Sequence, residues 1–392
     1  MRCCGSGPLS AQAVDPEAIV RSKFTVNDSF LLPDDEMEFS VQYAPDSKDR
    51  FVDLCKQLGR AGFTPKLVGT DKDTHLFVRK SPAQGGAAAG RKRSSIPIIL
   101  GLLAVGSIVV FGVLLGGIYQ QYGPSLSETS VVFLYVIAVI GVLVAHEMGH
   151  IYMARRSGES SPAPFAIPGI PGITAALPAL GIVSRQREPA VNRDRFFDVI
   201  IAGPLFGLAV AMALYVAGGI FSIQSALPLQ GCATVNGTQV LCPSIVQVGL
   251  DAVAGPFGPS IAPGYSALSP LADGATVGLI LTFVTLLPMV AFDGGHLSSL
   301  AWGEGPQRAM SYLCIILLFL IDAPNYWALA AVVYLLTFMS RSSEVDVLDE
   351  VSALSGRRKW IYLGALVVAL LCIPLPQSFA GFPIGHVWGA LG

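Results

Sequence analysis

His146-Glu147-Met148-Gly149-His150 places two imidazoles and a carboxylate within five residues. On a helix of 3.6 residues per turn, positions four apart stack on one face. Such a pair of imidazoles holds a zinc ion, and the neighbouring carboxylate takes a proton from water. The motif lies inside an apolar run long enough to cross a membrane. Ionisable groups are costly at that depth, and where they occur they mark function. The chain has only five histidines, so the spacing does not follow from a histidine-rich composition. The bland alternative makes His146, Glu147 and His150 interhelical hydrogen-bonding groups, but it does not require this spacing.

Two histidines leave a catalytic zinc site one ligand short, because three protein ligands and a water are usual. In the apolar part of the chain, before the C-terminal tail, the histidines are His146, His150 and His296. His296 is one candidate third ligand and Asp293 is the other. Both follow Leu286-Leu287-Pro288-Met289-Val290-Ala291-Phe292 and flank Gly294-Gly295. Pro288 has no backbone N–H, and the two glycines loosen the chain further. A helix interrupted here turns a carboxylate inward and leaves backbone groups free for a ligand. The plainer reading ends a helix at Asp293 near the headgroups.

An HExxH in one span and LPxxxxDGG in a later one resemble the site-2 protease family of intramembrane zinc metalloproteases. Between them, Ala202-Gly203-Pro204-Leu205-Phe206-Gly207 is similar to that family's small-residue segment. The resemblance runs from about Val131 to Leu300 and is closest to the archaeal and plastid-type branch without a PDZ domain. It implies one zinc ion held by His146, His150 and Asp293, with Glu147 as general base. Family members often carry asparagine before Leu-Leu-Pro, where it holds the substrate backbone or the oxyanion. Here Thr285 stands there, and Phe206, Gly207 and Leu208 fill a second place where asparagine is common. The departure bears on substrate polarisation, since one lost oxyanion donor costs on the order of 10² to 10³ in rate. Zinc ligation is untouched by it.

These residues need helices to carry them. The 392-residue chain is 52% hydrophobic and 13% charged, with a mean hydropathy of +0.60. Soluble domains carry about 25% charged residues, so this composition belongs to a membrane protein. A net charge of -2 offers nothing to nucleic acid. The expected fold is a polytopic α-helical membrane protein with a small α+β domain before it. Residues 1–80 form that domain, with a disordered start; 81–95 are a Gly/Ala-rich linker, 96–375 the membrane domain and 376–392 a tail. Seven spans are expected, at about Ile96–Tyr119, Val131–Met153, Phe197–Phe221, Gly274–Leu300, Ala309–Ile321, Tyr326–Met339 and Trp360–Ile373. Six result if the fifth and sixth form a re-entrant pair.

The Lys/Arg bias of the loops sets orientation. Arg91, Lys92 and Arg93 precede the first span, and Arg155, Arg156, Arg185, Arg187, Arg193 and Arg195 follow the second, whereas Ser222–Asp273 has no Lys or Arg. The N-terminal domain and the opening of the site are therefore expected on the cytoplasmic side of a multi-pass cell-membrane protein. The polar N-terminus, Met1-Arg2-Cys3-Cys4 onward, does not read as a secretory signal. A prokaryotic cell membrane fits this best.

Ser161–Ser184 is apolar, but its prolines and glycines forbid a straight helix. It reads as a re-entrant loop or short hairpin beside the zinc site; similar loops in the family bind substrate as an added strand. Candidate substrate contacts are Pro168 and Pro171 in this loop and Thr285, Pro288, Gly294 and Gly295 around the break. Gly203 and Gly207 form a G-x-x-x-G pattern, which in a membrane helix means close packing. Asn236-Gly237 reads as a hairpin turn that brings Cys232 and Cys242 together as a candidate disulfide. In the N-terminal domain, Met37–Tyr43 alternates like a strand. A helix over Ser47–Gly62 buries Phe51, Leu54, Cys55 and Leu58, and Lys66–Gly69 with Thr74–Arg79 forms a hairpin.

The expected activity is hydrolysis of peptide bonds in transmembrane segments of single-pass or polytopic membrane proteins, within the lipid bilayer and near its cytoplasmic face. The rival is a non-proteolytic adaptor or chaperone that binds transmembrane segments on the same scaffold.

Overall fold

The computed structural model describes residues 15–70, 73–81, 95–122, 125–160, 163–170, 174, 177–186, 188–225, 234–235, 238–239, 244–262, 266–290, 292–320, 331, 334–335, 338 and 345–373. The linker 82–94, most of the sixth expected span, Pro171, Cys232, Cys242 and the tail beyond Ile373 lie outside them. The described chain divides into two compact units, one built on residues 1–93 and the other on the apolar remainder.

The first unit begins where Asp15 caps a helix with Pro16 at its first position, α1 (Pro16–Lys23), a favoured helix start. Strands β1 (Val26–Leu31) and β2 (Met37–Val41) lead into α2 (Ser47–Arg60), then β3 (Phe63–Thr70) and β4 (Asp73–Lys80). The sheet runs β1-β2-β4-β3, with every neighbouring pair antiparallel. Alternation in β2, β3 and β4 sends Phe39, Val41, Leu67, Leu76 and Val78 to one face. There they meet Val20 and Phe24 of α1 and Phe51, Leu54 and Leu58 of α2. The strand, helix and hairpin expected from the sequence are present; α1 and the edge strand β1 are additional.

Two distant segments complete this unit, Pro189–Arg193 and Asp346–Ala353. Leu67 N donates to Leu348 O at 2.7 Å, and Glu350 N donates to Leu67 O at 3.0 Å, so the second segment runs parallel to β3. Ala190 then pairs with Val347 in parallel. Val191, Leu348 and Val351 pack onto the core. The β3 edge, otherwise a row of unpaired backbone groups, is met at Leu67 from within the chain.

The second unit is mostly helical. Three helices among the described residues are long and apolar enough to cross a membrane: α3 (Ile96–Tyr122), α4 (Glu128–Ser157) and α5 (Arg193–Ile220). Ser127 caps α4, and Gly158 ends it at a φ of 71°, the left-handed conformation that favours glycine. Between α4 and α5, β5 (Ala163–Pro168) and β6 (Ala179–Arg185) pair as an antiparallel hairpin. After α5 come short strands β7 (Ile223–Ser225), β8 (Thr234–Val235) and β9 (Thr238–Gln239), the helix α6 (Ile245–Ala254) and β10 (Ser266–Leu268). Val235 pairs with Thr238; Asn236-Gly237, the expected turn, lies outside the described residues.

The expected fourth span is two helices, α7 (Pro270–Leu286) and α8 (Asp293–Trp302). The chain continues into α9 (Glu304–Leu320) and, later, α10 (Gly356–Leu371). α7 is buried along most of its length. Its Gly274 faces Ala138 and Tyr135 of α4, and Gly278 faces Val142 of α4 and Ala211 of α5. α4, α5 and α7 therefore form the inner packing, while α3 exposes Ile98, Leu102 and Leu103.

Candidate metal centre

His146 and His150 lie on consecutive turns of α4, with no break in the helix. Their rings stand 4.9 Å apart, and the two Nε2 atoms are 3.2 Å apart. Both residues are buried. His150 Nδ1 lies 2.9 Å from the Val199 carbonyl of α5. A carbonyl only accepts, so Nδ1 carries the proton and Nε2 presents a lone pair, the arrangement that orients a ligating histidine. Three small residues let α5 come this close. A methyl on Gly203 would fall inside the His150 ring, one on Gly207 would press on His146 Cβ, and Gly149 of α4 faces the Ala202 carbonyl. The G-x-x-x-G pattern packs directly on the two histidines.

The other half of the site comes from the break. Leu287 leaves α7 in an extended conformation, with ψ 143°, as the residue before a proline prefers. The chain folds back on itself, and α8 starts at Asp293. Gly294 rests against the carbonyls of Leu286 and Leu287, and Gly295 against that of Met289, with no room for side chains. This reversal delivers Asp293, fully buried, to the histidines. Its Oδ2 lies 3.0 Å from His146 Nε2 and 3.5 Å from His150 Nε2.

Three ligand atoms from two distant helices thus surround one point. Their separations match the roughly 3.3 Å between atoms held tetrahedrally at about 2.0–2.1 Å from a zinc ion. Asp293 Oδ1 and Glu147 Oε1 are buried with no hydrogen-bond partner among the described residues. Buried polar atoms are normally satisfied, so these orphans are what a cation and its water would complete. Glu147 sits with the histidines, with ligand atoms of the three residues all within 4.8 Å. The donor set of two imidazoles and one carboxylate fits zinc. His296, the other candidate, forms an edge contact with Phe196.

Beside His146 is a cavity of about 10 Å³, at the lower limit for one water. Val142, Gly181, Gly207, Gly278, Thr282 and Thr285 line it. Thr285 reaches this wall, but its Oγ1 donates back to the Thr282 carbonyl at 3.3 Å, and its methyl faces Gly181 of β6. The hairpin therefore abuts the site, through β6. Pro168 ends β5, half-buried. Ser107 of α3 pins the turn by donating to the Gly169 carbonyl at 2.7 Å. Pro288, Gly294 and Gly295 are buried in the break.

Sequence reasoning missed the side chains that support the break. Tyr362 of α10 donates to Gly294 O at 2.8 Å and approaches Leu286 O at 3.3 Å. Ser311 of α9 donates to Pro288 O at 2.7 Å. Isolated polar residues in apolar helices were the available signal, without any indication of their partners.

Comparison with known proteins agrees with this geometry. Residues 134–321 match Peptidase family M50. That match supports the resemblance of this region to the site-2 proteases. The M50 region contains both histidines, Glu147 and Asp293. The chain is 27% identical over 248 residues to "Probable zinc metalloprotease EGY2, chloroplastic" of Arabidopsis thaliana, covering 61% of this chain and 41% of the relative. It is 26% identical to the protein of the same name from Oryza sativa subsp. indica, covering 63% and 43%. "Probable zinc metalloprotease EGY1, chloroplastic" of Arabidopsis thaliana is 24% identical, covering 60% and 41%. The chain spans about two fifths of the length of the curated relatives it matches. No solved structure matches it significantly.

Proposed function

We propose that this protein is an intramembrane zinc metalloprotease that hydrolyses peptide bonds in transmembrane segments of membrane-protein substrates. One observation carries the reading. His146 and His150 of the membrane-length helix α4 and Asp293 of α8, 147 residues apart in sequence at the extremes, bring three ligand atoms to one buried point, with Glu147 beside them. His146, His150 and Asp293 would hold the ion. A zinc ion there supplies Lewis acidity, which makes water nucleophilic near neutral pH and polarises a carbonyl.

The chain's own residues do the rest. Glu147, one position from His146, takes a proton from the attacking water and hands it to the leaving amine. The Val199 carbonyl keeps the His150 lone pair directed at the site. The hairpin β5–β6, whose Gly181 and Ile182 line the cavity, is placed to receive an unwound substrate stretch as an added strand. Unwinding is required because a helical substrate keeps its carbonyls in internal hydrogen bonds. Thr285, which lines the cavity, is with Pro288 and Pro168 a proposed substrate contact. The basic loops before α3 and after α4 put the N-terminal domain, and the end of α4 nearer the site, on the cytoplasmic side of seven spans.

One observation favours a second reading. Thr285 turns its hydroxyl into its own helix and offers no donor to a substrate carbonyl. A scaffold that binds transmembrane segments without cutting them, as an adaptor or chaperone, would tolerate this. Zinc stoichiometry and turnover of a transmembrane peptide, for wild type and Glu147→Gln in detergent, separate the two. The protease reading expects about one zinc in both proteins and turnover only in wild type. Zinc without turnover in wild type supports the adaptor, and cleavage that survives Glu147→Gln overturns the role of Glu147.

A further inference from the structure

A broken helix at membrane depth leaves backbone carbonyls without helical partners, and each must find a donor inside the protein. In the stretch that ends α7 and begins α8, the carbonyls of Leu286 and Pro288 find theirs on two other helices, and the Gly294 carbonyl in the first turn of α8 takes a further donor from one of them. Tyr362 Oη, on α10, serves Gly294 at 2.8 Å and Leu286 at 3.3 Å. Ser311 Oγ, on α9, serves Pro288 at 2.7 Å. Gln307, one turn earlier on α9, donates to Ser311 Oγ at 2.9 Å and reaches Pro288 O at 3.5 Å. All three side chains are buried at 1% exposure or less. Buried tyrosine, serine and glutamine in apolar helices are expensive unless paired, and here all three pair at the break.

α10 is itself fixed. One turn before Tyr362, Arg358 grips Asp198 with Nε at 2.8 Å and Nη2 at 2.6 Å, and it reaches Asp194 at 2.9 Å. Such a two-point grip on a carboxylate adds direction as well as energy. Asp198 adjoins Val199, whose carbonyl orients His150. One face of α10, through Arg358 and Tyr362, therefore touches the supports of both halves of the metal centre. α10 also lies beyond residues 134–321, the M50 match.

We infer that Tyr362, Ser311 and Gln307 are positioning residues that hold the chain reversal and so set Asp293 against the two histidines, with Arg358 referencing α10 to α5. Tyr362 spans the reversal, with one carbonyl before Asp293 and one after it. Losing its hydroxyl removes the contact to both ends at once while the ring remains packed against Trp302. The inference rests on the zinc reading for its effect on metal binding, but the hold on the backbone exists without metal.

The test uses full-length protein in detergent: wild type, Tyr362→Phe, Ser311→Ala, and Tyr312→Phe as a control on the exposed face of α9. Hydrogen exchange of the amides at 287–295 is read on metal-free protein. Affinity for zinc alone is read by competition with a chromogenic chelator. Tyr362→Phe and Ser311→Ala are expected to speed exchange at 287–295 while α4 keeps its protection. They should also weaken zinc by about 10- to 100-fold, the usual effect of losing a partner that orients a metal ligand. Tyr312→Phe should change neither. Wild-type exchange at 287–295 in both variants overturns the inference, and so does a rise spread evenly over all helices, which would mean general loosening. Absence of zinc from wild type would defeat the protease reading, while the exchange comparison would still decide the positioning role.

Discussion

The two halves of the candidate metal centre are built by opposite means. His146 and His150 stand on an unbroken 30-residue helix, so their relative placement follows from the helical repeat, with α5 pressed close through Gly203 and Gly207. Asp293 stands just after a reversal, where no repeat fixes anything, and side chains of α9 and α10 hold the backbone. Glycine serves both halves differently. At 203 it admits a neighbouring helix to a ligand; at 294 and 295 it lets the chain pack on its own carbonyls. The regular half is set by local geometry, and the irregular half by the tertiary structure.

The sharpest separation of chemistry from construction is Glu147→Gln. It leaves both halves intact and removes the proposed proton acceptor. Turnover should fall by on the order of 10² to 10⁴ with zinc retained, as measured on a transmembrane peptide alongside metal analysis. A simultaneous loss of zinc would show that Glu147 belongs to the construction.

Next in size is Thr285→Asn, at the end of α7 where the irregular half begins. The threonine hydroxyl is spent on Thr282 O, whereas an amide donor reaching the cavity would face a substrate carbonyl. Turnover should rise by about 10², the lower end of what one oxyanion donor contributes. Single-turnover assays are the check, and unchanged turnover would mean that polarisation comes from elsewhere.

Gly203→Ala tests the regular half. The added methyl meets the His150 ring, and overpacking of this kind costs about 1–3 kcal/mol. Thermal unfolding in detergent should report the loss, together with weaker zinc binding. Exchange at 287–295 should stay as in wild type, since the reversal is held from α9 and α10. If that segment loosened as well, the two halves would not be independent.

The same contrast explains what could be read from the sequence. HExxH was legible because a 3.6-residue period turns spacing into a shared face. Pro288 with Gly294-Gly295 announced an interruption, and the interruption is there. Ser161–Ser184 reads as a re-entrant loop or short hairpin because its prolines exclude a straight helix, and a β5–β6 hairpin stands there. Tyr362, Ser311 and Gln307 were not legible, because their partners are carbonyls that become available only once α7 has broken. Nor were Pro189–Arg193 and Asp346–Ala353 legible as sheet neighbours of β3. Each pairs over only a few residues, too few for alternation to show, with a partner far away in the chain. α1 is a different case: Asp15 followed by Pro16 is a helix-start signal that was present in the sequence and passed over.

The smallest expected effect discriminates most finely, because it asks what causes the break. If the sequence alone forces it, Pro288 is the cause: it lacks an N–H and drives Leu287 into the extended conformation observed. If the surrounding helices hold it, Pro288 only lowers the entropy of the unfolded chain. The contacts favour the second view, since Pro288 O is already held by Ser311 and both flanking carbonyls by Tyr362. Pro288→Ala should then cost about 0.4–1 kcal/mol of stability, the usual value of a proline that fits its site. Exchange at 287–295 should remain far slower than in Tyr362→Phe. Were Pro288→Ala to loosen the reversal as much as Tyr362→Phe does, the irregular half would be written locally after all, and the contrast between the halves would close.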